Sequence, residues 1–220
     1  KKMLNEANTH FKNSLNESSL AKAYIEKRGI DKEVIEKFQI GFADNKNGFL
    51  KYINEKNLKL EDALKLGLVK KSTKDENKFY DFFRNRLIFP IKDYKSNIIA
   101  FGGRTLNKED KNTNYKEAKY INSSESAVFK KSFNLFNLDL SLEDNRLIKD
   151  LLIVEGYMDV ISLYQNNFKS VVAPLGTALT KFQIEKSWKY CKNPIIVFDG
   201  DEAGKKASLR AAMLTLSILK

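Results

Sequence analysis

The chain has one cysteine, one histidine, one tryptophan, three prolines and ten glycines in 220 residues. Cys191 cannot close an internal disulfide, and with His10 as its only companion there is no Cys/His zinc cage and no histidine-based triad within these residues. Zinc is therefore not expected, and any metal must bind oxygen ligands. The glycine period of a collagen is missing, and no apolar run approaches the roughly 18 residues of a membrane span. No charged, apolar, small-residue series at the start reads as a secretory signal, so a soluble chain is expected. At 42% hydrophobic and 30% charged, the composition suits one or two globular domains.

Acid is in short supply: 39 Lys+Arg face 28 Asp+Glu, a formal charge of +11. Arginine is scarce too, six residues against 33 lysines, a bias that genome composition alone can produce. The distribution says more. Residues 70–134 hold fifteen Lys/Arg and eight Asp/Glu, whereas residues 150–204 hold five and seven. A basic segment beside a locally acidic one suits a metal-dependent site that handles a polyanion, although an ordinary solvated surface has the same look.

From Leu4 to Phe38 apolar residues recur at helical spacing, with Ser18 and Ser19 before Leu20 and Gly29 after a lysine-rich turn, which predicts short helices. Another helix is expected from Asp31 to a stop at Gly41, and a further one over residues 49–68, closed by Gly67. Tyr80–Ile91 and Asn97–Arg104 are aromatic and β-branched and read as two strands joined by a turn at Tyr94–Asn97. Asn107–Asn114 reads as a loop. After Leu151 the pattern alternates: apolar runs at Leu151–Val154, Ser170–Ala173 and Ile195–Phe198, helices at Tyr157–Gln165, Lys181–Tyr190 and Ala203–Leu219. Alternating β and α predicts a parallel sheet, an α/β fold. The last helix runs into Lys220 with no strand after it, so the alternation looks cut off and the chain reads as a fragment.

Ligands of such sheets gather at the carboxyl ends of the strands. There the first run delivers Glu155 and Gly156, with Asp159 one helical turn on, and the third delivers Asp199, Gly200 and Asp201. If those strands are neighbours, four carboxylates converge on one rim, and Mg²⁺ is the natural neutraliser. Each acid also has a plainer reading, as a helix-capping or first-turn residue. Gly156 and Gly200 would leave room for a phosphate or a metal ligand, and Gly176 with Thr177 would open the following helix as an anion seat or serve as a plain turn.

At these residues a resemblance emerges. Ile153-Val-Glu-Gly-Tyr-Met-Asp-Val160 and Val197-Phe-Asp-Gly-Asp-Glu-Ala-Gly204 are similar to the two signatures of the Toprim domain of bacterial primases and topoisomerases. Phe83-Arg-Asn-Arg-Leu-Ile-Phe-Pro-Ile91, Ile99-Ala-Phe-Gly-Gly-Arg104, Lys119-Tyr-Ile-Asn-Ser123 and Ala173-Pro-Leu-Gly-Thr177 narrow it to bacterial replicative primases of the DnaG family. Tyr24-Ile-Glu-Lys-Arg-Gly29 and Phe38-Gln-Ile-Gly-Phe42 fit its upstream segment, so the likeness runs from about Leu20 to Arg210.

The resemblance implies a mixed α/β subdomain over residues 1–148 with a basic template-binding surface, then a Rossmann-like Toprim subdomain over 149–220, incomplete at its C-terminal end. It implies a DNA-directed RNA polymerase making short primers on single-stranded DNA from nucleoside triphosphates with Mg²⁺ or Mn²⁺, in the bacterial cytoplasm at the replication fork. Glu155, Asp159, Asp199 and Asp201 match the metal-binding acids, with Glu155, Asp199 and Asp201 catalytic. Arg84, Arg86, Arg104, Lys119, Asn122, Lys131, Gly176 and Thr177 fall at or beside positions facing template and nucleotide, with Phe83, Tyr120 and Phe129 as nearby aromatics. Phe83 and Phe89 read as core rather than as base platforms.

The family more often has glycine after its lysine where this chain has Lys130-Lys131-Ser132, which leaves open which lysine reaches substrate. The zinc-binding domain, further acids and helicase-docking region usual in the family are not in these residues. His10, Trp188 and Cys191 read as structural or incidental. Two other readings stand beside the primase: another Toprim phosphodiester enzyme, of nuclease or topoisomerase type, and a non-catalytic module binding single-stranded nucleic acid.

Overall fold

The computed structural model describes residues 1–75, 77–107, 117–143, 147–176 and 178–219. Two compact units divide the chain, Lys1–Ile91 with Ile98–Val128, and Lys92–Asn97 with Phe129–Lys220. Among the described residues no helix is long and apolar enough to cross a membrane.

The first unit opens with helices α1 (Lys2–Glu17), α2 (Ser19–Lys27) and α3 (Lys32–Phe38). Ser18 starts α2, its Oγ accepting the Ala21 N–H at 3.2 Å. Helix α3 follows Asp31 and ends at Gln39, whose φ of 54° is left-handed. Gly41 is therefore not the helix stop expected of it; it opens strand β1 (Gly41–Ala43). Only glycine fits there, because a Cβ would lie 2.6 Å from the Cβ of Phe11 on α1.

The single helix expected over 49–68 is two, α4 (Gly48–Glu55) and α5 (Leu60–Lys65), interrupted near Asn57 at φ 48°. The single strand expected over Tyr80–Ile91 is broken as well. Strand β3 (Phe79–Asp81) pairs antiparallel with β2 (Val69–Lys71), and after Asn85, at φ 50°, β4 (Arg86–Lys92) begins a different sheet. That sheet has the order β1-β4-β5-β6, with β5 (Ile98–Thr105) and β6 (Tyr120–Asn122). Every residue of β4 and β5 except the last of each is buried, as near-continuous apolar runs predict. Leu4, Ala7 and Phe11 of α1 share a core with Phe49, Phe83, Ile88 and Phe101. Each large side chain there is worth about 1.5–3 kcal/mol of burial. Of the expected loop Asn107–Asn114, residues 108–114 lie outside the described residues.

The second unit holds the Lys92–Asn97 turn, a 3-10 turn at Lys131–Phe133, helix α6 (Leu138–Ser141) and then the alternation predicted from sequence: β7 (Leu152–Ile153), α7 (Tyr157–Gln165), β8 (Val171–Val172), α8 (Lys181–Trp188), β9 (Ile195–Ile196) and α9 (Glu202–Ile218). The strands are parallel in the order β8-β7-β9. Their ladder continues past the ends of β7 and β9, Val154 N–H donating to Val172 and Val197 N–H to Ile153 at 2.9 and 2.8 Å. Leu135, Leu138, Leu151, Ile153, Val172 and Ile184 form this unit's core. Cys191 is buried beside them, in the structural role expected of it.

Candidate functional site

Because β7 and β9 are parallel neighbours, the residues that leave their carboxyl ends meet. The backbone N–H of Asp199 donates to Oε1 of Glu155 at 2.9 Å, which joins the two Toprim-like motifs directly. Asp159 Oδ2 accepts the N–H of Gly156 at 2.9 Å across the first turn of α7. Asp201 is the N-cap of α9, its Oδ1 accepting the Gly204 N–H at 2.7 Å. All four carboxylates are exposed.

Three of them thus accept backbone N–H groups, and among the described residues no three His, Cys, Asp or Glu side chains are gathered as a metal-holding group. The donor chemistry nevertheless fits a hard divalent cation: carboxylates only, no thiolate or imidazole, at the ends of adjacent parallel strands where solvent reaches them.

The space beside Gly156 and Gly200 is open, as expected. A Cβ at Gly200 would meet nothing within 4 Å, and one at Gly156 only Asp159 Oδ2 at 3.6 Å. Within the two acid-bearing motifs the glycine with a steric necessity is Gly204, where a Cβ would lie 2.1 Å from the Asp199 carbonyl oxygen. It lets the first turn of α9 fold back on the Asp199–Asp201 loop. Gly176 does not open α8; it sits after β8 with φ 69°, and Thr180 caps α8, accepting the Gln183 N–H at 3.2 Å. Thr177 lies outside the described residues.

In the first unit the basic residues separate by burial. Arg84 is exposed, its guanidinium 5.1 Å from the centre of the Tyr80 ring. Arg86, two residues on, is 3% exposed and turned inward. It pairs with Glu117 at 2.5 Å and donates to the carbonyl of Ala118 at 3.0 Å. Both arginines line one small cleft of about 180 Å³ with Phe82, Glu117, Ala118 and Ile121. Burial pushes the Glu117 carboxyl up, but hydrogen bonds from Asn107 and Thr105 and the charge of Arg86 outweigh it, so its pKa is lowered.

Arg104, 8% exposed, has its guanidinium 5.3 Å from the Tyr24 ring and 5.2 Å from that of Tyr120, whose hydroxyl it also bonds. Lys119 is exposed, and Asn122 is half-buried on β6, paired with Gly102. In the second unit, Lys131 is half-buried in the 3-10 turn, and Lys130 is exposed, its Nζ 5.8 Å from the centre of the Phe133 ring.

Of the aromatics expected beside them, Phe83 and Phe129 are each 1% exposed and Phe89 is fully buried; all three are core. Tyr120 stays with Arg104. His10 packs among Phe11, Phe49 and Tyr52 with ring centres 5.1–5.6 Å away, and burial lowers its pKa, a structural role as expected. Sequence reasoning did not single out Glu117, the partner of Arg86, or Asp81. Asp81 is buried and caps α4 from β3, accepting the N–H groups of Phe49 and Leu50 at 2.9 and 3.0 Å. Burial raises its pKa to about 6.

Residues 10–142 match the family described as the DNA primase catalytic core, N-terminal domain, and residues 149–219 match the Toprim domain. The DNA primase of Clostridium acetobutylicum is 39% identical over 93% of this chain and 33% of its own length. That of Pseudomonas aeruginosa is 38% identical over 95% of this chain and 31% of its own. The chain therefore spans about a third of the length of the curated relatives it matches.

Among solved structures, a DNA primase domain from Pseudomonas aeruginosa is similar at a TM-score of 0.90 and 37% identity, covering 100% of this chain and 67% of that one. A DnaG primase catalytic domain bound to single-stranded DNA gives 0.85 and 35%, covering 98% and 67%. The family matches, the sequence identities and the agreement of folds lead to one conclusion: this chain belongs to the DnaG-type DNA primase catalytic cores, with a Toprim domain as its second part.

Proposed function

We propose that this chain is the greater part of the catalytic core of a primase: a DNA-directed RNA polymerase that makes short RNA primers on single-stranded DNA from nucleoside triphosphates. The observation that carries the reading is the Glu155–Asp199 contact, in which the acid of one motif holds the backbone that carries the acid of the other, at the ends of adjacent parallel strands. Glu155, Asp159, Asp199 and Asp201 would hold Mg²⁺ or Mn²⁺. A divalent cation there would neutralise triphosphate oxygens and favour attack by the primer 3′-hydroxyl.

The protein's own groups supply position and charge. Glu155 fixes the Asp199 backbone, and the Asp201 cap fixes the start of α9, so the loop between them is preorganised. Arg84 and Lys119, both exposed, would grip phosphates of the template without reading sequence. Arg86 and Arg104 are buried and act chiefly by positioning strands β4, β5 and β6 under those contacts. Asn122, Lys131, Gly176 and Thr177 would face template or nucleotide. The functional division falls at residues 148 and 149, and the working place is the cytoplasmic replication fork, with helicase contacts supplied by a C-terminal region, as in the family.

The test is incorporation of labelled nucleoside triphosphates on a single-stranded DNA template, with and without Mg²⁺ or Mn²⁺, by the full-length protein. Metal-dependent RNA products are expected. Nicking of the template without RNA synthesis would transfer the site to another Toprim phosphodiester reaction, and metal-indifferent binding without synthesis would make the chain a binding module.

A further inference from the structure

The second unit carries a stacked pair of aromatic side chains that its core does not use. Phe133, at the end of the 3-10 turn, and Phe182, in the first turn of α8, stack with ring centres 4.2 Å apart and planes 21° from parallel. They remain 40% and 49% exposed. Large apolar rings left in water are informative when nothing structural requires them there.

The turn does not depend on the rings for its attachment. Gln183 Nε2 donates to the carbonyls of Lys131 and Asn134 at 3.0 and 2.8 Å, Thr180 Oγ1 to that of Ser132 at 2.7 Å, and Lys186 Nζ to that of Phe133 at 2.5 Å. Four hydrogen bonds already bolt this turn to α8, so the ring pair stands on a rigid base.

Its surroundings are cationic. Lys130 lies over the Phe133 ring, Lys131 begins the turn, and Lys181 and Lys186 flank Phe182 in sequence. Glu185 lies 3.8 Å from Lys181, and the charge of Asp93 reaches Lys186. Exposed aromatic faces set in positive charge are what a sequence-tolerant grip on a single strand requires.

We propose that Phe133 and Phe182 form a stacking platform for an unpaired base of the single-stranded DNA template, with Lys130, Lys131 and Lys181 drawing its phosphates in. The proposal rests on the primase reading. Within that reading the template is the strand with unpaired bases, since the RNA product is paired as it grows, which favours DNA over RNA as the occupant.

The experiment is fluorescence anisotropy with the full-length protein at fixed salt, using a labelled single-stranded oligo(dT), an abasic oligonucleotide of the same length and an RNA oligomer. Phe133→Leu and Phe182→Leu keep apolar cover but remove the ring; Phe133→Tyr and Phe182→Tyr keep the ring. Thermal melting of every variant is followed alongside.

The leucine variants are expected to weaken oligo(dT) binding about tenfold, within the range of base–aromatic stacking, with the salt slope unchanged because no charge is lost. Affinity for the abasic strand stays the same, and the tyrosine variants bind as the parent does. Unchanged oligo(dT) affinity in the leucine variants would overturn the platform and leave the pair as a surface for a protein partner. Equal weakening toward the abasic strand would overturn stacking, and a loss confined to RNA would overturn the template assignment. A parent protein that binds no single-stranded DNA would overturn the primase reading as well, which separates the two failures.

Discussion

Glu155 Oε1 accepts the backbone N–H of Asp199 at 2.9 Å, so one acid of the candidate centre orients the peptide that carries another. The side chain of Asp199 is thereby aimed by a residue that lies in a different motif. Replacing Glu155 by Gln keeps a neutral acceptor and the loop, but removes charge. Because both residues are exposed, the cost in stability is expected to stay within about 0.5 kcal/mol, read by denaturant unfolding.

Gly204 and Gly200 separate steric need from mere openness. Gly204→Ala places a methyl 2.1 Å from the Asp199 carbonyl, whereas Gly200→Ala meets nothing within 4 Å. Gly204→Ala is expected to cost at least about 1–3 kcal/mol, a fall in Tm of about 2–4 °C per kcal/mol for a chain of this size. Gly200→Ala should leave Tm nearly unchanged. Equal melting of the two variants would contradict the packing described at the head of α9.

Two arginines with one residue between them have opposite expected phenotypes. Arg86→Ala removes a buried guanidinium from the half-buried Glu117 and from the carbonyl of Ala118, at a cost of about 1–3 kcal/mol in unfolding free energy. Arg84→Ala removes an exposed side chain and should cost under about 1 kcal/mol. Its effect is expected instead on oligonucleotide affinity, with the slope of log K against log salt falling by about 1; Lys119→Ala should do the same. Unchanged slopes in both would remove these residues from the proposed template surface.

Asp81 makes stability depend on pH. Burial raises its pKa from 3.8 to about 6, so the folded state holds its proton more tightly than the unfolded chain does. By linkage the folded state gains stability as pH falls from about 6 toward 4 and loses it on the way back, by an amount on the order of 2 kcal/mol. Asp81→Asn removes the titration. The difference in unfolding free energy between parent and Asp81→Asn, measured from pH 4 to 7, should vary over that window; a flat difference would contradict the burial account.

What the sequence revealed and what it concealed follow from the range of the interactions. The β/α alternation after Leu151 was readable because each apolar run and each helix is a local pattern, and the acids at the ends of the first and third runs follow from it. Asp81 was not readable, because it caps α4 from a strand more than thirty residues away. The opposite fates of Arg84 and Arg86 depend on Asn85, whose left-handed backbone ends the alternation that spacing alone implies. Phe83 and Phe129 stand near basic residues in the sequence, yet packing takes both into cores, while Phe133 and Phe182, which stay exposed, come together only when the 3-10 turn docks on α8.

The most direct test of the account sets Asp199→Ala and Glu155→Gln beside the parent protein and reads RNA synthesis and single-stranded DNA affinity separately, in Mg²⁺ and in Mn²⁺. The account predicts that both variants lose primer synthesis while binding the template within about twofold of the parent, since neither residue belongs to the basic surface. Primer synthesis undiminished in both variants would contradict it, because the acids at the ends of β7 and β9 would then be caps and nothing more.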